Sequence, residues 1–340
     1  MSKPAEKQPP SRAGVPRIEP ARETPLDAPP IIAVVGATAS GKTALSLELA
    51  ERLGGEIVNT DAMAVYRGMD IGTAKASAAD RARAPHHLLD LLEVSEPLTV
   101  AEFQGWARAA IAEIRGRGRT PVLVGGSALY VRAVLDRFEF PGTDPAVRAS
   151  LETEAESLGT AALHARLGER DPEAAALIRP DNTRRIVRAL EVIALTGRYA
   201  AELPGFDYFD PRTVQLGVDI DRPTLHQRIA DRVRRMFAAG LVDEVAGLLQ
   251  RGLAEGRTAR EAIGYRQVAA YLRGEIGLEE AEEQTVIATR RFARRQDSWF
   301  RKDPRVVWVQ HDDPARVEVS VREVGGTDTS GNSRRAGNEG

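Results

Sequence analysis

A lysine set among glycines, Gly36-Ala37-Thr38-Ala39-Ser40-Gly41-Lys42-Thr43, is the strongest chemical signal in the sequence. The spacing Gly-x-x-x-x-Gly-Lys-Thr is that of a P-loop. Glycines let the backbone curl until its N–H groups point at phosphate oxygens, and a helix starting there adds partial positive charge. Lys42 then neutralises an outer phosphate, and Thr43 can ligate Mg²⁺. Only five of the 47 basic residues are lysines, so a lysine in this loop stands out from an arginine-rich background. The loop alone leaves the fate of the phosphate open. A kinase would hold ATP here and move a phosphoryl group. Another enzyme would hold a diphosphate that leaves.

A second candidate is Asp61, which ends the apolar run Glu56-Ile57-Val58-Asn59-Thr60. Ligands of open α/β sheets bind outside the carboxyl ends of the strands, so Asp61 is placed to face the phosphate loop. A carboxylate there could bind or deprotonate an acceptor, and it could equally cap a helix. His86 and His87 lack further His or Cys at ligand spacing, so a packing or positioning role is predicted in place of a metal site.

These residues need a frame. Ile31-Ile32-Ala33-Val34-Val35 is short, apolar and β-branched, as a buried parallel strand should be. Residues 43–53 follow with helical spacing and stop at Gly54-Gly55. An amphipathic helix over 99–115 leads to a strand at Pro121-Val122-Leu123-Val124. Strands alternating with helices predict an α/β fold, a P-loop NTPase-like parallel-sheet core. From Asp144 to Thr196 only helical periodicity is visible. Strand character returns at Gln215–Ile220, then helices over 223–251, 258–273 and 278–302, and a last strand near Arg305–Val309. The predicted layout is a core at 29–137 and 208–312, a helical insertion domain at 138–207, a disordered tail at 1–28 and a mostly disordered tail at 313–340.

Composition narrows the class. The formal charge of −2 excludes a uniformly basic coat while leaving room for local basic faces. With no cysteine, disulfides and thiolate metal sites are excluded and a cytoplasmic location is expected. No apolar run approaches the roughly 20 residues that span a bilayer, so no membrane partner is expected.

The P-loop and the Asp61 segment with Met69-Asp70-Ile71-Gly72-Thr73-Ala74-Lys75 resemble those of the bacterial tRNA dimethylallyltransferase (tRNA isopentenyltransferase) family. So do Pro85-His86-His87-Leu88-Leu89-Asp90, Leu123-Val124-Gly125-Gly126-Ser127-Ala128-Leu129-Tyr130, Arg188-Ala189-Leu190-Glu191-Val192 and Gly264-Tyr265-Arg266-Gln267. The likeness runs from about Ile31 to Val309. It implies transfer of a dimethylallyl group from dimethylallyl diphosphate to N6 of the adenosine 3′ of the anticodon, in tRNAs reading codons that begin with U. The product would be N6-dimethylallyladenosine. The P-loop, a nucleotide-binding (ATP-type) motif, would then hold the leaving diphosphate with Mg²⁺ as cofactor. Asp61 would be the general base, assisted at the leaving group by Thr38 and Lys42. A monomer acting on the tRNA anticodon stem-loop is expected.

The same resemblance implies tRNA contacts at Asp61, Ala62, Met63, Ala64, Ser127, Arg148, Arg184, Arg185, Arg188, Gly264, Tyr265, Arg266, Arg294, Arg295, Gln296, Trp299 and Arg301. Helical spacing puts residues 290, 294 and 301, with 291, 295 and 302 beside them, on one basic face, and Phe292 and Trp299 on another, apolar one. Arg228 and Arg232 could meet the diphosphate. Two positions depart from the family pattern: Ala37 stands where proline is usual and Ala62 where serine is usual. Three other readings use part of the same evidence: a small-molecule kinase, a prenyltransferase acting on free AMP or ATP, and a nucleotide-dependent RNA-binding protein.

Overall fold

The computed structural model describes residues 28–199 and 205–326. The predicted tail at 1–28, apart from Ala28, and residues 327–340 lie outside them. Two compact units are present: one ends at Asp136 and resumes at Tyr208, and the other spans Arg137–Asp207.

The larger unit begins with β1 (Ile31–Val35), α1 (Lys42–Leu53), β2 (Gly55–Asn59), α2 (Ala78–Arg83), β3 (His86–His87), α3 (Val100–Gly116), β4 (Thr120–Val124) and α4 (Ala128–Leu135). The smaller unit is helical, with α5 (Pro145–Leu158), α6 (Thr160–Arg170), α7 (Pro172–Leu177) and α8 (Thr183–Thr196). The larger unit resumes with β5 (Thr213–Asp219), α9 (Arg222–Ala238), α10 (Leu241–Gln250), α11 (Tyr265–Leu272), α12 (Leu278–Phe300), β6 (Val306–Gln310) and α13 (Arg316–Gly326).

The six strands form one sheet in the order β3-β2-β4-β1-β5-β6, and every pairing is parallel. β1 and β2 are buried at every position, which explains the unbroken apolar run of β1 in place of alternation. β1 is flanked by β4 and β5, so the loop after it opens at the centre of the sheet's carboxyl edge. One face of the sheet packs Leu45, Leu49, Val122 and Leu216 with α1 and α13. The other buries Phe103, Trp106, Val131 and Tyr265 from α3, α4 and α11.

Three local outcomes differ from the sequence prediction. The segment 223–251 breaks into α9 and α10 at Gly240, whose φ of 97° suits glycine. The segment 258–273 becomes a 3₁₀ turn at Ala259–Glu261 and a separate α11. The predicted tail at 313–340 instead folds in part: α13 buries Ser320 and Val324, and Arg316 is paired with Glu48 of α1 at 2.9 Å. His86-His87 is an edge strand. His87 Nε2 lies 2.7 Å from Glu56 Oε2, and His86 Nδ1 lies 2.8 Å from the Ala84 carbonyl, which is the predicted packing role. Among the described residues no helix is long and apolar enough to cross a membrane.

The helical unit packs Leu151, Leu163, Leu167, Ile186 and Leu190 into its own core. At its centre Glu191 is fully buried and accepts hydrogen bonds from Arg148 (2.5 Å), Arg188 (2.8 Å), the Thr143 hydroxyl (2.6 Å) and the Asp144 N–H (3.1 Å). Burial alone would raise its pKa. The bonds from Arg148, Thr143 and Arg188 outweigh that and hold the carboxyl at about 2.

Candidate active site

The P-loop follows β1 and leads directly into α1. Gly36 has φ 134° and Gly41 φ 108°, values L side chains rarely adopt, and Ala39 also has positive φ at 65°. The loop curls tightly enough for Lys42 Nζ to donate to the Ala37 carbonyl at 2.6 Å. Burial, reinforced by the positive charge of Arg232 and opposed by Asp61, lowers the Lys42 pKa to about 7. The ammonium sits in a pocket of positive charge that a phosphate group would complete. Ala37 and Ala39 pack against Leu225 and Ile229 of α9 and Ala293 of α12, so two helices brace the loop from outside. That contact gives the alanine at position 37 a buried, close-packed place.

Asp61 follows β2 on the same edge of the sheet. Its backbone N–H donates to Asn59 Oδ1 at 3.0 Å, and Asn59 Nδ2 donates to the Asp61 and Leu88 carbonyls at 2.9 and 3.1 Å. Asn59 therefore ties the Asp61 turn to the Pro85–Asp90 motif. Asp61 Oδ1 accepts from the Met63 N–H at 2.9 Å. Among the described residues nothing hydrogen-bonds Oδ2. Asp61 interacts electrostatically with both Lys42 and Arg232, which places the carboxylate and the P-loop lysine in one site.

Arg228 and Arg232 of α9 complete the site. Arg228 approaches the Ser40 carbonyl at 3.4 Å and His311 Nδ1 at 3.3 Å. Arg232 donates to the Thr73 carbonyl at 3.3 Å. Burial lowers the pKa of Arg232, while Asp61 acts to raise it. Thr73 Oγ1 donates in turn to the Met69 carbonyl at 2.6 Å, and in the same segment the buried Lys75 pairs with Asp70 at 2.6 Å and Asp90 at 2.7 Å.

The other predicted contacts divide. Ser127 is half-buried, follows the loop after β4 and precedes α4, and its side chain makes no cap hydrogen bond. Arg184, Arg185, Arg266, Arg294, Arg295 and Trp299 are exposed. Phe292 and Trp299 do not form the core face that spacing predicted: Trp299 is 42% exposed. The predicted basic face is also broken, because α12 ends at Phe300 and Arg290 turns inward to the His226 carbonyl at 3.3 Å.

Several residues expected at an RNA surface are engaged inside the protein. Ala62 and Ala64 are buried, and Ala62 and the half-buried Met63 pack with the core. Tyr265 is buried and donates to Glu244 Oε1 at 2.6 Å, with Gly264 before it also buried. Arg301 is committed to Asp219 and Asp297 and stacks on Trp308 at 4.3 Å. Arg148 and Arg188 serve Glu191. Gln296 is 5% exposed and uses both ends of its amide within the protein. The family resemblance implied tRNA contacts at all of these, and packing shows that they are engaged inside the protein.

Sequence reasoning missed Glu244. Its carboxylate accepts from the N–H groups of Asp70 (3.1 Å), Ile71 (2.8 Å) and Gly72 (3.3 Å) as well as from Tyr265. A Cβ at Gly72 would come within 2.4 Å of the Tyr265 ring, so that glycine is a close-approach position. A glutamate 174 residues from its partner leaves no local signal.

Residues 64–303 match the protein family described as IPP transferase. The chain belongs to the IPP transferase family. It is 71% identical over 299 residues to the tRNA dimethylallyltransferase of Nocardioides sp., covering 88% of this chain and 96% of that one. It is 59% identical to the tRNA dimethylallyltransferase of Streptomyces coelicolor, covering 86% and 94%. Among solved structures, the full-length tRNA isopentenylpyrophosphate transferase of Bacillus halodurans aligns with a TM-score of 0.65 at 40% identity, covering 88% of this chain and 98% of that one. In this IPP transferase, as in a P-loop NTPase-like core, the loop after β1 lies at the carboxyl edge of a parallel sheet, beside Asp61.

Proposed function

We propose that this protein transfers a dimethylallyl group from dimethylallyl diphosphate to N6 of the adenosine 3′ of the anticodon in tRNA. The observation that carries this reading is the convergence of Lys42, Arg232 and Asp61: a place for a diphosphate beside a carboxylate with one oxygen unengaged. A kinase reading would also use the loop and a carboxylate base, and the similarity to tRNA dimethylallyltransferases is what favours prenyl transfer over it.

The donor's diphosphate lies in the P-loop, with Lys42 and Arg228 on its oxygens. The C–N bond forms between adenine N6 and the allylic carbon as the C–O bond to diphosphate breaks. The proton lost by N6 passes to Asp61. Negative charge grows on the leaving oxygen, where Lys42, loop amides and the Thr38 side chain act against it. The residues fit a Mg²⁺ ion held the way that ion prefers. Thr43 is exposed at the α1 N-terminus, and the described residues contain no cluster of three His, Asp or Glu that would form an all-protein cage. Bound there through Thr43 and phosphate oxygens, Mg²⁺ would supply further neutralisation of the leaving group.

The acceptor adenine must leave its stack to reach Asp61, at a cost of a few kcal/mol. Ser127 lines its side of the site. Arg184 and Arg185 of the helical unit, and Arg294, Arg295 and Trp299 of α12, supply phosphate contacts and a stacking surface. The enzyme acts as a cytoplasmic monomer on tRNAs reading codons that begin with U. Incubation with radiolabelled dimethylallyl diphosphate, Mg²⁺ and either unmodified tRNA or AMP tests the reading. Label in tRNA alone supports it. Label in AMP moves the activity to free nucleotides, and label in neither ends it.

A further inference from the structure

Gln296 lies on α12, buried, between two loops that the sequence separates by about ninety residues. Its Oε1 accepts from the Thr38 N–H of the P-loop at 2.8 Å. Its Nε2 donates to the Gly126 carbonyl, in the loop after β4, at 2.9 Å. The fit leaves no slack. A Cβ at Gly126 would fall 2.1 Å from Gln296 Nε2 and 3.2 Å from the Gly36 carbonyl. A P-loop, an acceptor-side loop and a helix therefore meet at a single amide.

We infer that Gln296 is a positioning residue that latches the diphosphate loop to the β4 loop and so sets the spacing between the two substrates. The inference rests on the prenyl-transfer reading for the identity of those substrates. At neutral pH a glutamine amide meets the geometry where an ionised glutamate does not, because one end must accept from an N–H while the other donates to a carbonyl. Both partners are backbone groups, so neither can turn away to compensate. The amide fixes Thr38, whose side chain is offered to the leaving group. It also fixes Gly126, which precedes Ser127 on the acceptor side. Gln296 touches neither substrate in this arrangement and acts through the two loops.

The test uses Gln296→Glu and Gln296→Met in the full chain. Glutamate keeps the size and still accepts from Thr38, but its second oxygen faces the Gly126 carbonyl as an acceptor against an acceptor. Burial and that facing carbonyl raise its pKa, and the protonated acid can donate again. In Gln296→Glu, kcat/KM relative to wild type should fall roughly tenfold or more near pH 8, the order expected for a buried polar group left unpaired. The ratio should then climb as the pH is lowered toward about 5.5. Lys42 titrates in both proteins, so the ratio removes its contribution. Gln296→Met should show the loss at every pH with no acid recovery. Binding of inorganic diphosphate by calorimetry, taken as the same ratio, repeats the test without prenyl transfer. An inactive wild type would therefore count against the function and not against the latch. A flat ratio for Gln296→Glu, or wild-type KM and kcat in Gln296→Met, overturns the proposal. If the glutamate variant does not fold, Gln296→Met and the diphosphate measurement decide it alone.

Discussion

Asp61 in the α/β core and Glu191 in the helical unit are both carboxylates among basic side chains, and their surroundings are built in opposite ways. Glu191 is fully buried and collects two guanidinium groups, a hydroxyl and a backbone N–H, so its charge is answered locally. Asp61 is half-buried and accepts only the Met63 N–H on one oxygen. Around it Lys42 and Arg232 bring more positive charge than Asp61 cancels. In the helical unit the balance is closed and the charges serve the fold. In the core it is left open, which is the condition for binding an anion and moving a proton. An arginine beside a fully satisfied carboxylate, such as Arg148, is therefore scaffold until shown otherwise.

The contrast can be broken most directly at Asp61. Asp61→Asn should reduce prenyl transfer by roughly 10²–10⁴-fold, the usual worth of a general base, with the thermal melt unchanged. Single-turnover transfer and calorimetry on one preparation check both halves, and a large loss of stability would place Asp61 with Glu191. Next in size is Lys42→Met, expected to cost roughly 10²–10³-fold in transfer because it removes a fixed positive group from the leaving oxygens. Lys42 also predicts a pH dependence. Its pKa is about 7 without ligand, and bound diphosphate must raise it, so binding takes up a proton above that pH. Diphosphate affinity should weaken as the pH rises through 7, and proton uptake should appear as a dependence of the binding enthalpy on buffer ionisation.

Glu191→Gln should do the converse of Asp61→Asn. Removing the charge that Arg148 and Arg188 surround should destabilise the helical unit by about 2 kcal/mol, discounted because both arginines are partly exposed. The sign of its pH dependence follows from a folded pKa below the ordinary 4.5. The stabilisation is present above 4.5 and is lost as the pH falls toward about 2. Denaturation of wild type and variant along that range should converge at the acid end. The smallest effect is expected at Arg184 and Arg185. Changing either to Gln should weaken tRNA binding a few-fold and reduce the salt slope by roughly one phosphate contact, leaving transfer from saturating tRNA intact. Arg148→Gln, by contrast, should act mainly on stability, and a pure salt-slope effect there would show that its ion pair opens for RNA.

The sequence by itself determined the candidate site and its frame. The P-loop could be read because its function lies in backbone conformation, which glycine spacing encodes locally. Asp61 could be read because a strand's end fixes where its next residue faces. The parallel core followed from continuous apolar strands alternating with helices, and the Asp144–Thr196 helices from their period. The tertiary structure alone decided which polar side chains are spent. Gln296, Tyr265 and Glu244 carry ordinary polar identities, and their partners lie far off in sequence, so no local pattern reveals that each is already satisfied. The fold of α13 was hidden for the same reason: Val324 is buried only because α1 and β6 supply the surface it covers. Local periodicity records what a segment could do, and packing between distant segments settles which of its groups remain free to do it.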